Sequence, residues 1–196
     1  MITHLSINNL KLHDHTELEL SGLTILTGMN GMGKSTVIQS LILLRQSFMM
    51  NDLDAGLNLK GDLCDAGISG ELACQASREH TLNIDMKFAE QGDLNFSFEY
   101  PDNIMDTMLP GAEDNETSKA VLSKYSLFNE KFQYLSAFRF GPQKSYNRDT
   151  SLVVTKKQIS KSMGQCEYAV HFLEQYKNLH IPIEELAIID EEDITP

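Results

Sequence analysis

One short segment, residues 28–35, constrains the fold of this chain more than any other part of it. Its sequence, GMNGMGKS, matches the pattern GxxxxGK[ST] at every fixed position. Glycine tolerates backbone angles that other residues avoid, so such a loop can turn several consecutive N–H groups toward one anion. An apolar run, LTILT at 23–27, precedes the loop and predicts a strand buried on both faces. Apolar residues recur at helical spacing from Lys34 to about Phe48, and a strand, a glycine loop and a helix in this order predict a phosphate-binding loop, or P-loop.

The chemistry of a P-loop gives each of its residues an expected role. The Lys34 ammonium is expected between the β- and γ-phosphates of ATP, and the Ser35 hydroxyl is expected to bind Mg²⁺. The helix that begins there directs the positive end of its dipole at the same phosphates. Lys34 and Ser35 are therefore the predicted catalytic residues, ATP and Mg²⁺ the predicted cofactors, and Thr36 the expected contact of the α-phosphate. The residues of the loop predicted to bind nucleotide are Gly28, Met29, Asn30, Gly31, Met32, Gly33, Lys34, Ser35 and Thr36.

Periodic patterns predict the elements around this loop. Alternating apolar and polar residues predict half-buried strands at 2–7 and 16–20, joined by a turn that contains His13 and His15. The histidines of the chain do not gather at metal-ligand spacing, and these two are expected at the surface. The remaining predictions, in chain order, are an irregular loop at 51–69, an antiparallel meander of strands at 70–76, 80–89 and 93–100, a mobile excursion at 101–119, a short helix at 117–129, a strand at 131–140, a polar loop at 143–163 and a helix at 167–178.

Charge and apolar content limit the partners of the chain. It has 28 acidic and 16 basic residues, a net charge of −12, which argues against a chain that grips nucleic acid on its own. A nucleic-acid partner would have to be held through another protein or another part of this one. The first residues lack the features of a signal peptide, and no apolar stretch is long enough to cross a bilayer. With three cysteines that lack metal-ligand spacing, we expect a cytoplasmic protein with no membrane contact.

The order of elements and the residues themselves resemble one group of P-loop proteins. Two alternating strands precede the P-loop strand and a meander follows the helix, whereas nucleotide kinases and small GTPases usually run their first parallel strand straight into the loop. LSINNLKLHDHTELEL (5–20) is similar to the opening of ABC-type ATPase heads of the RecF, SMC and OLD (overcoming lysogenization defect) group. LTILTGMNGMGKSTVIQSLILL (23–44) is similar to their next stretch, and Asn30 before Gly31 is typical of them. The segments that resemble a bacterial OLD-like subfamily are YLSAFRFGPQKSY (134–146) and GQCEYAVHFLEQYKN (164–178).

This resemblance implies an α/β fold, a P-loop NTPase of ABC-ATPase head type with a central mixed sheet, a flanking antiparallel sheet and a small helical part. The chain would be the N-terminal part of one such head over 1–196, and therefore an incomplete head. A second head, as in a homodimer, is the implied partner, and coupling to DNA transactions or phage defence is the implied purpose of hydrolysis. The implied parts are β-β-β-P-loop-helix at 1–48, the meander at 70–100, the mobile excursion at 101–130, and a strand and helical segment at 131–196.

Three residues outside the loop have two interpretations each. By the resemblance Lys11 would reach the nucleotide, and otherwise it is an exposed turn lysine; Leu12 departs from the small polar residue usual beside it. Gln143 would serve as the Q-loop glutamine that binds Mg²⁺, or it is an ordinary loop residue. Arg139 would meet a phosphate or pair with an acidic neighbour in the core.

The acidic end of the chain also has two interpretations. LAIIDEED (186–193) would be a Walker B segment, with Asp190 for Mg²⁺ and Glu191 as the base for the attacking water. Residues 161–165, KSMGQ, would then be a degenerate signature motif. Against this, Ala187 weakens the apolar run and the acidic residues continue as in a solvated loop. The OLD-like resemblance instead makes this stretch a variable segment.

Two other functions are compatible with a P-loop. A small-molecule kinase would need a lid with several arginines, and the chain has Arg45, Arg78, Arg139 and Arg148. A non-hydrolysing regulator would use the loop to couple nucleotide binding to self-association.

Overall fold

The computed structural model describes residues 1–137, 141–161 and 164–179. These residues form a four-stranded antiparallel sheet, a two-stranded ribbon and several helices. No helix in these ranges has both the length and the apolar composition needed to cross a bilayer. In chain order the elements are β1 (Ile2–Leu10), β2 (His13–Glu19), α1 (Lys34–Met50), β3 (Gly56–Asn58), α2 (Ser69–Leu72), β4 (Thr81–Phe88), β5 (Gly92–Glu99), β6 (Met108–Pro110), α3 (Lys119–Leu122), a π-helical turn (Ser151–Thr155) and α4 (Ala169–Tyr176).

The antiparallel sheet has the strand order β2-β1-β4-β5, so β1 and β4 are its inner strands. Leu5 lies opposite Leu18 on one side and Met86 on the other, and Ile7 lies opposite Ile84. Because side chains alternate along a strand, this register collects the apolar residues on one face. The buried apolar residues of the sheet are Leu5, Ile7, Leu10, Leu82, Ile84, Met86, Phe88, Leu94, Phe96 and Phe98.

Helix α1 is fixed to the rest of the molecule by apolar and polar contacts. Leu43 of α1 and Leu57 of β3 belong to the same buried cluster as the apolar face of the sheet. The Asn58 N–H donates to Ser47 Oγ at 2.7 Å, and the Gln46 side chain donates to the Asn58 carbonyl at 2.9 Å. These contacts hold α1 against the ribbon, and they thereby fix where its N-terminus lies.

Asn9 is a buried polar residue near the end of β1, with a left-handed φ of 60° and 1% of its surface exposed. Its side-chain nitrogen donates to the carbonyls of Glu79 at 2.8 Å and Thr81 at 3.0 Å, and its Oδ1 accepts from the Cys74 N–H at 2.9 Å. The Tyr100 hydroxyl donates to the Asn9 carbonyl at 2.6 Å. Burial raises the pKa of Tyr100, with Cys74 acting in the same direction, so the hydroxyl keeps the proton it donates. Asn9 therefore ties β1 to the segment before β4, to the first residue of β4 and to the residue after β5.

The elements predicted from clear periodicity are present. The turn between the first two strands is shorter than predicted, because β1 and β2 continue into it and leave only Lys11 and Leu12 outside. The confirmed elements are the strands predicted at 2–7 (β1), 16–20 (β2), 80–89 (β4) and 93–100 (β5), and the helices predicted from Lys34 (α1) and at 167–178 (α4).

The strand predicted at 70–76 is wrong. Ser69–Leu72 form the short helix α2, and a turn follows it. The N–H groups of Ser69 and Gly70 donate to carbonyls within 104–106, so a loop satisfies this backbone in place of a neighbouring strand. The predicted meander is therefore the two-stranded hairpin of β4 and β5.

The prediction of a buried strand at 23–27 is also wrong. Leu23 is 77% exposed and Ile25 is 72% exposed. A strand is buried on both faces only within a sheet that is covered on both sides, and no strand in the described part of the chain pairs with this run. The described residues thus contain the flanking antiparallel sheet, while the central mixed sheet is not among their elements.

The segments after residue 100 differ in structure from their predictions. The excursion predicted at 101–119 contributes β6, which pairs with β3 and buries Leu109. The helix predicted at 117–129 is shortened to α3. Of the strand predicted at 131–140, residues 131–137 form none. The Ser136 N–H donates to the Gly164 carbonyl, but no run of strand hydrogen bonds continues from it. Residues 138–140 lie outside the described residues. The polar loop at 143–163 contains the π-helical turn.

Replacing Asn9 with alanine is expected to lower the free energy of unfolding by about 2–4 kcal/mol, because a buried N–H and two carbonyls lose their partner. Chemical denaturation of the full chain measures this change. Asn95→Ala, at an exposed position of β5 in the same sheet, is the matched control and is expected to change stability by less than about 0.5 kcal/mol. Equal effects of the two substitutions would show that the Asn9 contacts do not stabilise the fold.

Candidate functional site

The loop that precedes α1 adopts backbone angles that glycine permits. The φ angles of Gly28, Gly31 and Gly33 are 139°, 82° and 82°. A side chain at such positions is strained by roughly 1–2 kcal/mol, which explains why glycine occurs there. Helix α1 begins at Lys34 with Gly33 as its N-cap, as the motif predicts. The loop and the helix therefore have the arrangement expected of a P-loop.

The backbone donors of this loop make few hydrogen bonds to the described part of the chain. Asn30 and Gly31 form a turn, and no described residue accepts a hydrogen bond of good geometry from the N–H groups of residues 29–35. The first N–H groups of a helix have no intrahelical partner, and they lie at the positive end of its dipole. A row of such donors is suited to an anion with several oxygens, as a phosphate chain has.

Lys34 and Ser35 lie at the junction of the loop and α1. Lys34 Nζ donates to the carbonyls of Gly28 at 2.8 Å and Met29 at 2.5 Å, so its ammonium bridges the start of the loop. Ser35 is exposed, and its hydroxyl is open to a ligand. Thr36 is only 7% exposed and lies on the inner side of the helix. The loop thus combines the Lys34 ammonium, the exposed Ser35 hydroxyl and a set of backbone N–H groups.

A cavity of about 280 Å³ lies at this loop, close to the lower end of the sizes typical of small-molecule sites. The β1–β2 turn forms its other wall. None of the described residues that line it carries a carboxylate, so these residues present no negative charge that would repel an anion. The residues that line the cavity are Lys11, Leu12, Asn30, Gly31, Gly33, Lys34, Ser35 and Thr36.

Lys11, for which the sequence left two interpretations, is at the cavity. It adopts a left-handed φ of 53°, and its Nζ donates to Gln39 Oε1 of α1 at 3.2 Å. Cys64 is close enough for the Lys11 ammonium to lower its pKa, but burial dominates and raises the pKa of this thiol to about 11. The Cys64 thiol is therefore protonated at neutral pH, and Lys11 carries the positive charge of this wall.

His13 is a residue of the site that the sequence did not indicate, because the predicted turn placed it at the surface. It is 8% exposed, and the short turn pairs it with the core residue Leu10. Its Nε2 lies 3.0 Å from the Gly33 carbonyl oxygen and its Nδ1 lies 2.9 Å from Thr16 Oγ1. Extending the alternation of β2 back to residue 13 would have placed it on the exposed face with His15 and Glu17, so the sequence pattern gave no signal for its burial.

Of the other candidate residues, only Gln143 is among the described residues. The Gln143 N–H donates to the hydroxyl of Tyr146, and Gln143 does not line the cavity. Arg139, Asp190 and Glu191 lie outside the described residues, as does part of the 161–165 segment. Within residues 1–137, 141–161 and 164–179, no group of three or more His, Cys, Asp or Glu side chains is placed to hold a metal ion.

A larger cavity, of about 630 Å³, lies between the end of α1 and the 151–164 region. Arg45 on its wall donates to the Leu127 carbonyl at 3.0 Å and lies over the Phe132 ring. Burial lowers the pKa of Arg45, and Glu130 offsets part of that effect. Arg45, a partly buried cation of the wall, already has protein partners. The greater volume of this cavity is therefore not sufficient reason to regard it as the functional site.

Comparison with known proteins agrees with the loop geometry. No curated protein matches the chain. A family model described as "AAA ATPase domain" matches residues 1–193, which include the antiparallel sheet, the P-loop and α1. The match extends over nearly the whole sequence, and the chain therefore belongs to the AAA ATPase domain family.

Proposed function

We propose that this chain binds ATP with Mg²⁺ at residues 28–36 and that the assembled protein hydrolyses ATP. The observation that carries the proposal is the row of N–H groups at 29–35, for which the described residues offer no acceptor of good geometry, with Lys34 at the start of α1. A triphosphate needs several donors and a nearby cation, and this loop supplies both. Membership of the AAA ATPase domain family supports the same function.

The protein groups at this site act by position and charge. The loop N–H groups would hold the β-phosphate, and the Lys34 ammonium would exchange its two loop carbonyls for phosphate oxygens. The Ser35 hydroxyl would hold Mg²⁺, which when bound supplies positive charge to the phosphates. Thr36 would contact the α-phosphate. In phosphoryl transfer such groups stabilise charge that develops on the phosphate oxygens, and they form no covalent bond with it.

We also propose Lys11 as a contact of the nucleotide and Gln143 as a contact of Mg²⁺, and the support for the two differs. Lys11 lines the cavity opposite the loop, and a phosphate could replace Gln39 as the partner of its ammonium. Gln143 as a metal contact is supported by the resemblance alone, since its recorded contact is with the Tyr146 hydroxyl.

Within the AAA ATPases, we assign the chain to the ABC-type heads of the OLD, RecF and SMC group. The support is the similarity of 5–20 and 23–44 to these heads, and the antiparallel sheet that flanks the P-loop. In such a head a second copy would supply the signature serine across the nucleotide, so the chain alone is expected to hydrolyse ATP negligibly. Coupling to DNA or to phage defence, and a cytoplasmic location, follow from the resemblance and the composition only.

Two rival functions predict different results. A small-molecule kinase would transfer labelled phosphate from ATP to an acceptor, whereas the proposed ATPase would release it as inorganic phosphate. A non-hydrolysing regulator would change its self-association with ATP while releasing none. Phosphate release and sedimentation, measured on the same assembled protein, separate the three functions.

Lys34→Ala is expected to weaken ATP binding about 10- to 100-fold, because a charge-assisted contact to phosphate contributes about 1.5–3 kcal/mol. Calorimetric titration of ATP into the full chain measures the affinity. Lys87→Ala, which removes an exposed lysine of β4, is the matched control and is expected to bind as the unmodified chain does. If the two variants bind ATP equally well, the nucleotide is not held at this loop.

Ser35→Ala is expected to remove most of the gain in ATP affinity that Mg²⁺ gives, about fivefold for a hydrogen bond or ligand contact of about 1 kcal/mol. The same titration is performed with Mg²⁺ and with EDTA, and the variant should match the unmodified chain in EDTA. Ser35→Thr keeps the hydroxyl and should retain the response to Mg²⁺. A full response in Ser35→Ala would show that the metal is held by other groups.

A further inference from the structure

We propose that His13 is a positioning residue of the P-loop, which fixes the Gly33 peptide unit and through it the direction of the Lys34 N–H. This inference rests on the proposed function, since the N–H it orients is one of those that would hold the phosphates. His13 is the first residue of β2 and lies outside the GxxxxGK[ST] motif.

The hydrogen bonds of His13 determine which ring nitrogen carries a proton. A carbonyl oxygen can only accept, so the contact of 3.0 Å between Nε2 and the Gly33 oxygen requires a proton on Nε2. In the neutral ring, Nδ1 then accepts from the Thr16 hydroxyl, 2.9 Å away. Both nitrogens of this buried ring are therefore satisfied, and Thr16 holds the ring in the orientation that reaches the loop.

The ring also packs directly on Gly33. A Cβ atom added at Gly33 would lie 2.5 Å from His13 Nε2 and 3.0 Å from Cε1, closer than real side chains approach. Gly33 is thus required for two reasons, its φ of 82° and the ring that lies over it. The imidazole occupies the space that a side chain at residue 33 would fill.

The Gly33 carbonyl links the ring to both the helix and the loop. The same oxygen accepts from the N–H groups of Thr36 at 2.9 Å and Val37 at 3.2 Å, which begin the hydrogen bonding of α1. In a trans peptide unit the carbonyl of Gly33 and the N–H of Lys34 point in opposite directions. An imidazole that holds the Gly33 carbonyl therefore turns the Lys34 N–H away from the His13 ring.

His13→Phe tests this role, because it keeps a ring of similar size and removes the donor. We expect faster amide hydrogen exchange at Thr36 and Val37, measured residue by residue by NMR, with unchanged exchange at Ile84 in the centre of the sheet. ATP affinity is expected to fall about fivefold, the loss that corresponds to one buried hydrogen bond. His13→Gln, whose amide can donate to the same carbonyl, should restore both quantities to within about twofold of the unmodified chain.

Two further substitutions complete the test. Thr16→Val leaves the ring in place without its second partner and should give a smaller change of the same kind. His15→Phe alters an exposed neighbour of β2 and should change neither quantity.

Three results would overturn the proposal. Exchange that rises equally at Ile84 would show that His13 only stabilises the fold, and unchanged exchange at Thr36 and Val37 would show that it does not hold the loop. Local loosening with unchanged ATP affinity would show that the Lys34 N–H is not used. If the unmodified chain itself binds no ATP, the proposed function fails; the exchange data then still decide whether His13 holds Gly33, and the link to nucleotide is refuted.

Discussion

The two-residue turn between β1 and β2 is the constraint on which the geometry of the site depends. Because Leu10 pairs with His13, the turn consists of Lys11 and Leu12, and Lys11 takes a left-handed φ of 53°. This tight turn places the Lys11 side chain at the cavity and the His13 ring against Gly33. One residue before Leu10, the buried Asn9 fixes the end of β1 to β4 and its flanking loop. The core of the sheet and the anion-binding loop are thus joined through a few consecutive residues.

The parts of the fold that could be predicted from the sequence are those that local physics determines. A positive φ favours glycine, and a helix that binds an anion begins where its first N–H groups can face the ligand. The loop at 28–35 and the start of α1 could therefore be predicted from the residues. Strands β1, β2, β4 and β5 followed from the alternation that a half-buried sheet requires.

The parts that could not be predicted depend on which partner a segment meets. The buried side chains of Leu72 and Cys74 give 70–76 the alternation of a strand, but the loop at 104–106 satisfies its backbone and allows a helical turn. The apolar residues at 23–27 have the composition of a buried strand, and burial needs a covered sheet around them. His13 was missed because its burial breaks the alternation of β2: it is buried at the turn, whereas His15 and Glu17, two and four residues later, are exposed.

The net charge of −12 and the proposed binding of an anion are compatible because they act over different distances. At physiological ionic strength, exposed charges are screened beyond about 8 Å, so carboxylates elsewhere on the surface contribute little at the loop. The nearby groups are Lys11, Lys34, the N–H groups of the loop and the positive end of α1, and the described residues that line the cavity include no carboxylate. Since the fold holds these dipoles in place, they need no reorganisation when a phosphate binds. Nucleic acid would instead require cations spread along an extended surface. The acidic composition therefore disfavours nucleic acid as a partner but is compatible with the binding of a single nucleotide.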